Sequence, residues 1–97
     1  MRMNIVWTPQ AVAGWQEVVL YIRDNFGVSV MEDFEKRTLE AEMNISLMPN
    51  LGAVEWKDAN ESVVYRYVII NRRSKMLYYM EDDTIYIADF WDVRKNK

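Results

Sequence analysis

Two helical repeats separated by little more than one glycine restrict this chain more than any other feature. Val12, Trp15, Val19, Ile22 and Phe26 recur at intervals of three and four, and Phe34, Thr38, Ala41, Ile45 and Met48 resume the spacing. That spacing marks one apolar face of an α-helix. Thr8 is placed to cap the first helix, and Pro9 suits its first position, where a missing N–H costs nothing. Gly27 ends it, because glycine accepts the left-handed backbone of a C-cap. Ser29-Val30-Met31-Glu32 reads as a capping box that opens the second helix. Pro49-Asn50-Leu51-Gly52 closes it. So short a joint makes the pair fold back as an antiparallel hairpin.

Everything outside the hairpin reads as strand. Met3 to Trp7 is a short apolar run with Ile, Val and Trp. Ala53 to Lys57 is a second candidate. Ser62 to Asn71 is dense in branched and aromatic residues, which suit a pleated surface. Arg72-Arg73-Ser74-Lys75 is expected as a turn, Met76 to Glu81 as a strand, Asp82-Asp83 as a tight turn and Thr84 to Trp91 as the last strand. The expected class is α+β: an N-terminal strand, a two-helix hairpin, then an antiparallel sheet in the order β-α-α-β-β-β-β.

At 97 residues the chain has the length of one domain. Its 51% hydrophobic and 13% aromatic content is too high for disorder. No apolar run approaches the ~18 residues that cross a bilayer, and the stretch before Thr8 is too short for a signal peptide. A soluble cytoplasmic protein is expected. Cys and His are both absent, which removes thiol catalysis and the commonest general base near neutral pH. Asp82, Asp83 and Asp89 complete no coordination shell, so neither metal nor cofactor is expected.

The net charge is −3. That argues against a protein that simply coats nucleic acid. Two basic clusters nevertheless stand out. Lys57, Arg66, Arg72, Arg73 and Lys75 form one, and Arg94, Lys95 and Lys97 the other. They are either solubilising loop and tail charges or one anion-facing patch, if the fold brings them together.

An even-length turn near Ser74 would set Arg66 opposite Glu81, and a two-residue Asp82-Asp83 turn would set Glu81 opposite Thr84. Arg66, Val68, Ile70, Leu77, Tyr79, Tyr86 and Phe90 would then share one face. Tyr65, Tyr67, Met76, Tyr78, Ile85, Ile87 and Trp91 would share the other. A helical hairpin covers one face only. The second would expose aromatics, and an exposed apolar patch marks a partner site unless the tail, the helix ends or a second copy covers it. Trp56 and Trp91 lie near strand ends, where a partner could stack.

The residues in this order resemble the RelE/ParE toxin superfamily. Trp7-Thr8-Pro9 with Ala11 is similar to its W-[ST]-P-x-A opening. Phe34, Ile45, Pro49 and Leu51-Gly52 resemble its F…L-x-x-x-P-x-L-G helix ending. Tyr65-Arg66 before Val68-Ile69-Ile70 resembles its Y-R strand, and Leu77-Tyr78-Tyr79, Asp82 to Ile87 and Trp91-Asp92-Val93-Arg94 resemble its last two strands. The resemblance implies the toxin of a bacterial type II toxin–antitoxin module, a family that includes plasmid stabilisation proteins. It implies a cognate antitoxin whose disordered segment folds along the toxin, with the helical hairpin and the uncovered sheet face as its docking surface.

That superfamily divides by target. ParE-like members poison DNA gyrase; RelE-like members cut mRNA on the ribosome. Cleavage by a 2′-OH needs a base, an acid and cations for the phosphorane-like transition state. By resemblance, Arg66 and Arg94 would contact phosphate. Glu55 and Lys57 fall where some members carry a catalytic residue. There is no His, and no Tyr follows Trp91, so the expectation leans toward a gyrase-directed or undetermined target. An mRNA endoribonuclease is the alternative, and an inactive member that only binds its antitoxin is the third reading. The residues that would meet the antitoxin are not legible, and a homodimer through the uncovered face is open.

Overall fold

The computed structural model describes residues 2–93. The chain runs β1 (Asn4–Trp7), α1 (Pro9–Phe26), α2 (Val28–Leu47), β2 (Ala53–Lys57), β3 (Val64–Ile70), β4 (Ser74–Glu81) and β5 (Thr84–Asp92). The five strands make one sheet in the order β1-β5-β4-β3-β2. β1 runs parallel to β5, and the other pairs are antiparallel. The sheet is therefore mixed, with the expected hairpin packed on one face. No helix among the described residues is long and apolar enough to cross a membrane.

Local signals explain the helix ends, with one correction. The Thr8 hydroxyl accepts the Ala11 N–H as the N-cap of α1. It also lies 2.9 Å from the Ile87 carbonyl and 3.1 Å from the Ala88 carbonyl, so the cap is tied to β5. Gly27, with φ at 96°, ends α1 as expected. It is also the N-cap of α2, which starts at Val28 without a side-chain cap. The Ser29 capping box does not form, because Ser29 already lies inside the first turn.

The core lies between α1, α2 and the sheet. Phe34, Ile45, Met76, Tyr78, Ile85 and Ile87 are fully buried there. Phe90 is edge-on to Phe34, with ring centroids 5.8 Å apart, and stacks with Trp7 at 6.0 Å. Phe26, expected in this core, is instead 46% exposed at the end of α1, with the Arg73 guanidinium 4.8 Å from its ring. Gly14 explains how α1 sits so close: a Cβ there would lie 2.0 Å from the Phe90 carbonyl oxygen.

Register is where the expected sheet fails. Asn71 and Arg72 both take left-handed backbone, φ 57° and 63°, and the Arg73 N–H bonds the Ile70 carbonyl. The turn thus comes earlier than expected, and Ile70 pairs with Ser74. Arg66 lies opposite Tyr78, not Glu81. This three-residue displacement is odd, so it exchanges the faces of β4 relative to β3. A bulge in β5 then sets Leu77 opposite Asp89 but Tyr78 opposite Ile87. Tyr86 and Phe90 consequently point to opposite faces, where one face was expected. The Glu81–Thr84 pairing across Asp82-Asp83 is as expected.

Candidate functional site

Arg66 projects from β3 toward the helix-covered side, beyond the end of α2. Its Nη1 donates to the Gly52 carbonyl at 2.9 Å and, more weakly, to the Asn50 carbonyl at 3.4 Å. Its Nε is buried without a hydrogen-bond partner. Tyr78, directly across the sheet, holds the same loop: its hydroxyl donates to the Pro49 carbonyl at 2.8 Å and accepts the Gly52 N–H at 2.9 Å. Burial pushes the Tyr78 phenol up, against the opposing effects of the Gly52 hydrogen bond and the Arg66 charge. A phenol raised in pKa and engaged on both sides is a poor general base. Arg66 and Tyr78 together clamp the turn that joins α2 to β2.

The other expected site residues do not converge on Arg66. Glu55 sits at the β2 irregularity and pairs with Lys75 of β4. The Lys75 ammonium lies 4.1 Å from the Tyr67 ring centroid and 5.7 Å from that of Trp91. Lys57 pairs with Glu61, 3.5 Å away at an exposed hairpin end. No hydrogen bond or ion pair joins Arg66 to Glu55 or Lys57 among the described residues. Arg94 lies outside the described residues.

The helix-free face carries a row of rings that sequence reasoning distributed wrongly. Trp56 stacks on Tyr65 at 4.2 Å, Tyr65 meets Tyr79 at 5.1 Å, and Tyr79 stacks on Tyr86 at 5.3 Å. The row crosses β2, β3, β4 and β5. Trp56, at its edge, is 49% exposed. Burial first, then the neighbouring Tyr65, raises the Tyr79 phenol. Alternation signalled these rings, but only the true register places them in one line.

On the opposite side, residues of β1, α1 and α2 line a cleft of about 500 Å³, Trp7, Trp15, Thr38, Leu39, Glu35 and Glu42 among them. The Trp7 indole N–H donates to Glu42 at 3.1 Å, and the Trp15 indole N–H donates to Thr38 at 3.2 Å. The two indoles meet edge to face at 6.2 Å. Burial raises the Glu42 carboxyl, and the Trp7 hydrogen bond only partly offsets this. The helical stripe marked Trp15, which packs against the core while also lining this cleft, but it did not single out Glu42.

Three comparisons bear on this architecture. A family model described as the ParE toxin of the type II toxin-antitoxin system, parDE, matches residues 5–96. No curated protein matches the chain. A solved structure of the chromosomal ParDE toxin–antitoxin system from P. aeruginosa is similar in fold, with a TM-score of 0.74. It shares 16% sequence identity and covers 95% of this chain and 97% of that one.

Proposed function

The chain belongs to the ParE toxin family of type II toxin–antitoxin systems, and from that premise we propose that it stops growth by binding a protein target rather than by cutting RNA. The reading is a gyrase-directed toxin held in check by a cognate antitoxin. The observation that supports it most is the engagement of Arg66. Its guanidinium holds the backbone of Asn50 and Gly52, and the nearest phenol, Tyr78, is committed to the same turn. Phosphoryl chemistry needs a cation turned toward substrate and an acid–base pair within hydrogen-bond reach. Glu55 and Lys57, paired elsewhere, supply neither.

Induced expression without antitoxin, with DNA and protein synthesis pulse-labelled separately, tests this reading. Early loss of DNA synthesis, with inhibition of gyrase supercoiling by the purified chain, is the expected result. Prompt loss of protein synthesis, with ribosome-dependent mRNA cleavage, would replace it with the nuclease reading. Normal growth with soluble protein present would leave a binder of antitoxin alone.

A further inference from the structure

The cleft lined by β1, α1 and α2 holds donors that are already engaged and acceptors that are not. The Trp7 indole N–H is bonded to Glu42 and the Trp15 indole N–H to Thr38. The Thr38 hydroxyl in turn donates to the Phe34 carbonyl. Trp7 meets one carboxylate oxygen of Glu42 and leaves the other open. Neither Glu42 nor Glu35 makes an ion pair among the described residues. Arg2 lines an adjoining groove that also touches Glu42, yet the two do not pair.

The apolar lining has a direction. Glu35 and Glu42 share one face of α2, about two turns and roughly 10 Å apart along its axis. Leu39, 64% exposed, lies between them. The two indoles, packed against the core, and Val12 complete the apolar lining. Along α2 the order is therefore carboxylate, apolar surface, carboxylate. The volume of about 500 Å³ falls in the range that holds small ligands.

Charge selects the occupant. An anion would meet two groups of its own sign. A neutral apolar molecule would desolvate Glu42 further, which is unfavourable for an ion whose carboxyl burial already raises. A single-headed amine would satisfy one carboxylate only. An alkyl chain with an ammonium at each end matches all three zones. Its methylenes pack on Leu39 and the indoles, its heads meet Glu35 and Glu42, and an ammonium beside an indole gains a cation–π contact.

We propose that this cleft binds a small aliphatic diamine laid along α2. The inference stands apart from the choice of cellular target, since it concerns a soluble ligand held within one chain. Such a ligand stabilises the folded chain by mass action.

The test titrates cadaverine into the isotope-labelled full chain at fixed ionic strength, with indole N–H signals followed by NMR and affinity measured by calorimetry. Saturable movement of the Trp7 and Trp15 signals is expected, with those of Trp56 and Trp91 still. Pentylamine has the same stem and one head, and is expected to bind about fivefold more weakly, the scale of one exposed ion pair. Glu35→Gln is expected to bring cadaverine down to the level of pentylamine and leave pentylamine unchanged. Glu42→Gln is expected to weaken both. Leu39→Lys alters an exposed position and places a competing ammonium in the cleft, so it is expected to abolish cadaverine binding even if the Glu variants fold poorly. Absence of saturable movement at Trp7 and Trp15, equal affinity for the two amines, or unchanged binding by the Glu variants would overturn the proposal. So would tighter binding of N-acetyl-lysine methylamide than of cadaverine, which would make the cleft a seat for a protein side chain. None of these readouts uses toxicity, so a chain that is not toxic would defeat the toxin reading alone.

Discussion

The two faces of the sheet use aromatic residues in opposite ways. On the covered face, Tyr78 and Phe90 are at most 1% exposed, and their neighbours Met76, Ile85 and Ile87 are completely enclosed. Stability there comes from removing apolar area from water and from close packing, at roughly 25 cal/mol per Å². On the open face, Trp56, Tyr65, Tyr79 and Tyr86 shield one another ring to ring while staying partly wet. Cross-strand pairs of that kind add only about 0.2–1 kcal/mol each. One face therefore holds the fold, and the other contributes less to it.

The largest expected difference between the faces comes from truncation. Phe90→Ala should cost about 3–5 kcal/mol, the usual loss for a buried Phe. Tyr86→Ala on the open face should cost under ~1.5 kcal/mol, the scale of an aromatic pair. Urea denaturation of both variants would measure this, and equal losses would break the contrast.

Gly14→Ala is the next sharpest probe of the covered face. In an exposed helix that change stabilises by up to about 1 kcal/mol. Here the new Cβ would meet the Phe90 carbonyl at 2.0 Å, and overpacking of this kind costs about 1–3 kcal/mol. Thermal unfolding should show a lowered Tm; a raised one would mean that α1 is free to lift off β5.

The hydroxyls should divide the same way. Tyr78→Phe leaves the buried Gly52 N–H and the Pro49 carbonyl without their partner; one such unsatisfied group costs about 1–3 kcal/mol. Amide exchange at Gly52 should speed up. Tyr79→Phe keeps the ring contacts with Tyr65 and Tyr86 and removes a hydroxyl with no hydrogen bond among the described residues, so it should change stability little.

The smallest expected effect is a titration on the helix side. Glu42 keeps its proton to higher pH in the folded chain than in the unfolded one, chiefly through burial. Its contribution to stability is therefore present when it is protonated, and is lost as pH rises from the ordinary carboxylate range through its raised value. Glu42→Gln should match the wild type in acid and exceed it at neutral pH by well under ~1 kcal/mol, because solvent screens a half-exposed group. Chemical denaturation at both pH values would show it; a neutral-pH loss would mean that the carboxylate charge itself stabilises the hairpin.

Much of this architecture is legible along the chain because its signals are local. Thr8, Pro9 and Gly27 mark the ends of α1 by their own backbone and side-chain chemistry, and the three-and-four spacing places Ile22, Phe34 and Ile45 in the core. The Ser29 capping box is the exception: Gly27 serves both helices, so the joint is shorter than two separate caps would need. The candidate site was far less legible. Arg66 stands out by its strand and neighbours, but its partners lie 14 and 16 positions earlier, on a turn that folds back beneath it.

From its sequence alone the chain determined a strand, two helices in a hairpin, a following set of strands and membership of a toxin superfamily, since periodicity, caps and motif order are written in neighbouring residues. Only the tertiary structure decided which face each strand residue occupies. Side chains alternate with a period of two, so the displaced turn at Asn71-Arg72 and the extra residue at Ala88 each exchange the faces beyond them. The same step turned Arg66 from an expected partner of Glu81 into a clamp on Gly52 and aligned the four partly exposed rings.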